Sequence, residues 1–247
     1  MSTLDGAGLA EGDVPMVADV SYLEVPVMAP GEASRQLGIP ASTLKHWLDG
    51  HQVGSRFYPP VLRPELSLRA DVTWGEMVEA DYLRAYRSKG VSLQRLRPFV
   101  ADCRERFGLR YPLAHLRPFT DGRRLLLEAQ TEAGLTGELR VIYELATGQL
   151  ELHPRAVTFL ERVDRGGDAS ADVAIALMPD GPESPVRQEP GISSGASAVG
   201  GIRTEILREQ YEVGEDTRDI AEMFGLDIHD VLAALHHEDR LRPLKIA

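Results

Sequence analysis

Between residues 32 and 47 the apolar positions fall into two short helical periods, broken at Gly38-Ile39-Pro40. Ala33 and Leu37 give the first segment an apolar face, Gly38 permits a turn, Ile39 plugs it, and Leu44, Trp47 and Leu48 anchor a second helix. Ser42, Lys45, His46 and Asp49 are left facing outward. The pattern predicts a helix, a tight turn and a second helix. A second helix held this way can lay its N-terminal residues into a major groove, while neighbouring cations and backbone amides hold phosphates.

Downstream, residues 51–64 hold three prolines, which forbid a long helix and predict an extended loop or small hairpin where a wing would lie. Arg56 and Tyr58 stand there within reach of phosphates. Thr73 and Glu76 have capping-box spacing and open a helix running to about Ser88, with Met77, Ala80, Tyr82 or Leu83, and Ala85 on its buried side. Ser92 is placed to cap a helix over 93–107 that ends at Gly108, and Pro98 is expected to kink it one turn in.

From Phe119 the period changes. Leu139, Val141, Tyr143 and Leu145 alternate with mostly polar neighbours, 146–149 offers a turn, and Leu150 and Leu152 resume the pattern, so a hairpin is expected. Residues 125–127 and 173–178 read as further strands, with a short helix over 154–163. The Pro-, Gly- and Ser-rich stretch 179–201 reads as a flexible linker.

Beyond it the helical period returns, with Ile202, Ile206, Leu207 and Tyr211 on one face, a stop at Gly214 and a cap at Asp216 or Thr217. A second helix-turn-helix pattern passes through Gly225 into a helix over 228–239, expected to bury Val231, Leu232 and Leu235. That helix would expose His229, Asp230, His236, His237, Glu238 and Asp239, which suits it poorly to phosphate and better to a protein partner. Residues 1–19 have no periodicity and read as a disordered tail.

The expected fold class is therefore mostly α with a small β-containing middle region. A winged helix-turn-helix domain is assigned to 20–118, a small α+β region to 119–178 and a trihelical protein-interaction domain to 202–247.

At 247 residues and 43% hydrophobic content, the chain can bury the cores of two or three small units. No apolar run approaches membrane-spanning length and the first residues lack signal-peptide architecture, which predicts a cytoplasmic protein. Cys103 is the one cysteine, so neither an intrachain disulfide nor a thiolate metal cluster can form. The net charge of −11 is unevenly spread: 1–19 carries −4, 20–118 +4, 119–198 −6 and 199–247 −5. Residues 84–117 hold nine bases and two acids, an electrostatic footprint suited to DNA. Ser42, Thr43, Lys45 and His46, with Arg56 and Tyr58 in the wing and Lys89 nearby, are the candidate DNA contacts; Arg84 and Arg87 are secondary ones. One such module offers little contact area, so a homodimer on two half-sites is expected.

Residues 29–113, carrying Leu37-Gly38-Ile39-Pro40, Tyr58-Pro59-Pro60, Trp74, Glu79-Ala80, Phe107-Gly108 and Tyr111-Pro112-Leu113, resemble a MerR-like DNA-binding module. Residues 202–238, with Gly214-Glu215-Asp216-Thr217 and the segment from Asp219 to Leu226, resemble a small helical domain of bacterial antitoxins. Together they look like the large VapB-type antitoxins. Pro98 departs from the pattern, in a helix that such regulators keep whole.

The resemblance implies a repressor of its own operon that also binds and silences a PIN-domain ribonuclease toxin, with no catalysis of its own. Such a toxin holds a divalent metal among carboxylates, so an inserted arginine would displace the metal. Arg187 and Arg203 are the candidate toxin-binding residues. The alternative is an effector-sensing MerR-like regulator without a toxin, its ligand bound in 119–178. No phosphate loop, nucleophile elbow or paired-histidine zinc motif points to an enzyme, and no cofactor is expected. His229, His236 and His237 lack a fourth ligand at helical spacing and read as surface residues rather than a metal site.

Overall fold

The computed structural model describes residues 22–63, 70–165 and 173–241. The tail expected over 1–19 lies outside them. About half of the described residues are helical, with a few small antiparallel sheets.

β1 (Pro26–Met28) pairs antiparallel with β4 (Val72–Thr73), which closes the loop of chain between them. Within that loop lie α1 (Pro30–Gln36), α2 (Ala41–Asp49) and a hairpin of β2 (His51–Val53) and β3 (Arg56–Tyr58). α1 opens on Pro30, whose missing N–H is one that no helix uses at that position. The turn between the helices needs Gly38, which sits at φ +62°, a conformation that side chains with a Cβ resist.

α3 (Trp74–Arg87) starts on the expected capping box, the Glu76 N–H donating to Thr73 Oγ1 at 3.3 Å and the Thr73 N–H to Glu76 Oε2 at 3.0 Å. α4 (Leu93–Phe107) runs unbroken across Pro98 and ends on Gly108 in the left-handed region, but Ser92 makes no side-chain cap. Residues 125–127, expected as a strand, lie inside α5 (Arg123–Glu132). Leu126 is buried there while Leu125 is exposed, and the flanking Arg, Glu, Ala and Gln are good helix formers that carry the triple-Leu run with them. The hairpin forms as β5 (Ile142–Glu144) with β6 (Leu150–Leu152), shorter than its sequence pattern. α6 (Pro154–Glu161) follows, then β7 (Val163–Arg165) paired with β8 (Ala174–Leu177).

One hydrophobic core joins these elements apart from the β2–β3 hairpin. Trp74 donates its indole N–H to the Ala174 carbonyl at 2.7 Å, and Tyr82 meets Phe159 edge-on at 4.8 Å, so the 119–178 region shares the core of the N-terminal helices and builds none of its own.

Residues 179–201 correct the linker expectation. Gln188 bridges to Leu177, Arg187 bridges to Ala198 in β9 (Ala198–Val199), and Val186 and Val199 are buried. Proline, glycine and serine there set the turns of a packed segment. Few large apolar residues suffice because polar side chains supply the packing: Gln188 and Ser197 are both buried and bonded to each other.

β10 (Ile202–Arg203) pairs with β9 and leads into α7 (Thr204–Glu212), α8 (Thr217–Phe224) and α9 (Ile228–Leu241), which enclose a second, smaller core of Leu207, Ile220, Val231, Ala234 and Leu235 with Val186 and Val199. Asp216 caps α8, accepting the Arg218 N–H at 2.8 Å. The faces of these helices differ from their sequence pattern. Leu232 is 51% exposed, Ile206 and Tyr211 also point outward, and His237 and Glu238 are buried. The reason is polar docking onto α1. Glu238 accepts the Thr204 hydroxyl at 2.6 Å and Arg35 of α1 at 3.3 Å, while Arg35 also pairs with Glu205 at 3.1 Å. Burial, with Arg35 adding to it and Glu238 opposing it, pushes the His237 imidazole down to about 4, so a neutral ring donates its Nδ1–H to Asp180 at 2.8 Å.

Candidate nucleic-acid interface

α2 owes its orientation to its apolar side. Leu44, Trp47 and Leu48 are buried, which turns Ser42 and Lys45 to solvent and leaves Thr43 and His46 half-buried. The Trp47 carbonyl accepts the N–H groups of both Val61 and Leu62 at 2.9 Å, tying the chain that leaves the hairpin back onto the helix. Behind it, Arg63 is buried and donates to Glu76 at 2.8 Å and to Asp49 at 3.2 Å. Lys45 also pairs with Asp49 at 3.2 Å, an exposed contact that a phosphate can replace at little cost.

α2 and the hairpin meet through a ladder of rings. His46 stacks on His51 with centroids 4.4 Å apart, His51 stacks on Tyr58 at 4.9 Å, and the Arg56 guanidinium lies 5.0 Å from the Tyr58 ring centre. Gly50 makes the ladder possible. It sits at φ +74°, and a Cβ there would lie 2.5 Å from the Tyr58 carbonyl oxygen. Four of the residues picked out by the sequence, His46, Arg56, Tyr58 and Lys45, thus share one surface with Ser42 and Thr43.

Two further members of this surface escape the sequence pattern. His51, the middle ring of the ladder, and Arg97 of α4 beside it each have buried nitrogen atoms without a hydrogen-bond partner: His51 Nδ1, and Arg97 Nε and Nη2. Partial burial, and then the nearby charges of His46 and Arg97, hold the His51 imidazole below its usual value. Burial likewise lowers Arg97, while Tyr58 opposes the shift. Among the described groups that shift these two residues there is no carboxylate. Such a cluster favours an approaching anion. His51 was findable, since it directly faces Tyr58 in the hairpin register, whereas nothing local marks Arg97.

Lys89 lies elsewhere, on a cleft with Arg84, Arg155 and Arg162. Arg187 and Arg203 are engaged within the chain. Arg187 pairs with Glu189 at 2.9 Å and with Asp164, and Arg203 pairs with Glu32 of α1. They face different carboxylates and share none.

No protein-family model matches the chain. It nevertheless belongs to the same protein family as a Mycobacterium tuberculosis (strain ATCC 25618 / H37Rv) protein named "Uncharacterized protein Rv2308". The two are 32% identical over 228 residues, which cover 90% of this chain and 94% of the relative. Among solved structures, the X-ray crystal structure of Rv2018 from Mycobacterium tuberculosis superposes with a TM-score of 0.65 at 22% identity, covering 87% of this chain and 99% of that one. The likeness to Rv2018 is one of fold. Among the described residues no helix is long and apolar enough to cross a membrane.

Proposed function

We propose that this protein is a cytoplasmic DNA-binding repressor whose α1, turn, α2 and hairpin act as a winged helix-turn-helix. One observation carries the reading: outward-facing Ser42 and Lys45 sit beside a ring ladder whose middle ring, His51, and nearby Arg97 hold unpartnered nitrogens, with no carboxylate among the described groups that shift them. Ser42, Thr43, Lys45 and His46 would face base edges and phosphates from α2, and Arg56 and Tyr58 the backbone from the wing. A homodimer would place two such modules on half-sites about one helical turn apart. Fluorescence anisotropy with a duplex from the region upstream of its own gene tests this. The expected result is binding at least tenfold tighter than to a scrambled duplex, and equal affinity for both removes sequence recognition.

The second activity in this proposal is antitoxin function, with a PIN-domain ribonuclease as partner. It is supported by α7–α9, a trihelical unit that leaves Val213 77% exposed and also exposes Met223, Ile228 and Leu232 among acidic neighbours. Arg187 and Arg203 would reach toxin carboxylates by exchanging them for Asp164, Glu189 and Glu32, a carboxylate-for-carboxylate swap. Co-expression with the adjacent gene tests the partner: a stable complex with silent ribonuclease is expected, and Arg187→Ala with Arg203→Ala should restore cleavage. A toxin that stays inhibited by the double variant assigns inhibition to another surface. An effector-sensing regulator without a toxin is the second reading, favoured by the open cleft beside Lys89.

A further inference from the structure

The cleft between the C-terminal end of α3 and α6 has a volume of about 430 Å³, within the usual range of small-molecule sites. Its wall carries four basic side chains, Arg84 and Lys89 from α3 and its C-terminal turn, and Arg155 and Arg162 from α6 and its end. Ala85, Pro154, Thr158 and the nearly buried Phe159 complete the lining and supply its apolar part. Asp81 is the carboxylate that joins two of these bases. It accepts from Arg84 Nη2 at 2.6 Å and from Arg162 Nη2 at 3.0 Å. Burial would raise Asp81, but the two guanidinium groups hold it below the ordinary carboxylate range, so it stays ionised and neutralises one of the two. Lys89 is exposed and the second arginine charge remains over, leaving a cationic wall above an apolar floor.

The excess charge reaches the last helix. Arg240 of α9, which pairs with Asp180, is held below its ordinary value by burial and then by the charges of Arg162 and Arg84. Among the described residues Asp81 pairs with Arg84 and Arg162 and Asp180 with Arg240, three bases on two acids, with Lys89 exposed beside them. Like charges gathered at an open cavity repel one another until an anion enters.

We propose that this cleft binds a small phosphate monoester, its dianionic head on Lys89, Arg155 and the Arg84–Arg162 pair and its apolar or planar body on Phe159 and Ala85. Lys89, a candidate DNA contact by sequence, then belongs to a ligand site. The inference names a ligand class for the effector-sensing reading, but binding itself is independent of whether α2 contacts DNA.

Isothermal titration calorimetry of the full-length protein with phenyl phosphate and with inorganic phosphate tests it. Phenyl phosphate is expected to bind at least tenfold tighter than inorganic phosphate, because only the ester covers the floor. Lys89→Glu, at an exposed position, should weaken phenyl phosphate at least tenfold, and Lys89→Ala with Arg155→Ala should weaken it further. Both variants should retain the wild-type circular dichroism spectrum and thermal midpoint without ligand. No phenyl phosphate binding to the wild type, or equal binding to wild type and Lys89→Glu, overturns the proposal. A Lys89→Glu protein that loses DNA affinity while the wild type ignores phenyl phosphate also overturns it and makes the cleft a DNA-backbone contact. A wild-type protein that binds phenyl phosphate as expected but fails to bind the upstream duplex supports the ligand site and bears against the repressor reading alone.

Discussion

Gln36 on α1 accepts two hydrogen bonds from Ser197, at 3.2 Å from its N–H and 2.7 Å from its hydroxyl, across 161 residues of sequence. Gln188 adds a third donor to the same carbonyl oxygen at 3.3 Å. α1 is therefore clamped by the packed segment that precedes α7, and all three residues are buried. Because these donors are buried and lose their acceptor, Gln36→Ala is expected to destabilise the protein by about 2 kcal/mol or more. Urea denaturation checks this, and Gln36→Glu should be no gentler, since it buries a charge.

At Gly50 the backbone conformation and the close approach of Tyr58 act together. Gly50→Ala should cost roughly 2 kcal/mol or more from the left-handed backbone and the crowding of the Tyr58 carbonyl. The hairpin would have to move away from α2, separating His51 from His46. A matching loss of DNA affinity is expected. Equal affinity in a stably folded Gly50→Ala protein would show that the hairpin takes no part in binding.

Glu79 on α3 gives the protein a pH signature. Burial raises its carboxyl to about 7, against the pull of Arg104 at 2.7 Å and the Leu113 N–H at 3.2 Å. A folded-state value above the unfolded one means that the folded protein keeps a proton which the unfolded chain has released. The resulting stability is fully present below the unfolded carboxylate value of about 4.3 and is lost as pH rises through about 7. This contribution amounts to about 4 kcal/mol. Denaturation midpoints of wild type and Glu79→Gln from pH 5 to 8 measure it: the difference between them should change in that direction, and a constant difference would contradict it.

Much of the N-terminal half is legible in the sequence because local rules and tertiary packing agree there. The capping box at Thr73 and Glu76, the left-handed stop at Gly108 and the apolar faces of α1 and α2 all appear at the positions their residues specify. Agreement fails where polar groups supply the packing. His237 and Glu238 look like surface residues until Asp180, Thr204 and Arg35 are brought to them from other elements. The 179–201 segment looks like a linker for the same reason, since its order rests on Gln36, Gln188 and Ser197 rather than on an apolar stripe. Of the candidate interface, α2 and the hairpin are visible in sequence. Arg97 is not, because its place beside Tyr58 depends on how α4 crosses the hairpin.

DNA recognition by α2 and its hairpin is tested most directly by the salt dependence of affinity. Each phosphate neutralised by a cation releases counterions, so log affinity falls with log salt in proportion to the number of phosphates neutralised. Wild type and Lys45→Ala with Arg56→Ala should both be titrated with the upstream duplex over a range of salt. The double variant is expected to flatten the slope by about one unit for each phosphate that its missing cations leave unneutralised. An unchanged slope, with both proteins folded and bound, would remove Lys45 and Arg56 from the interface and contradict the assignment of this surface to DNA.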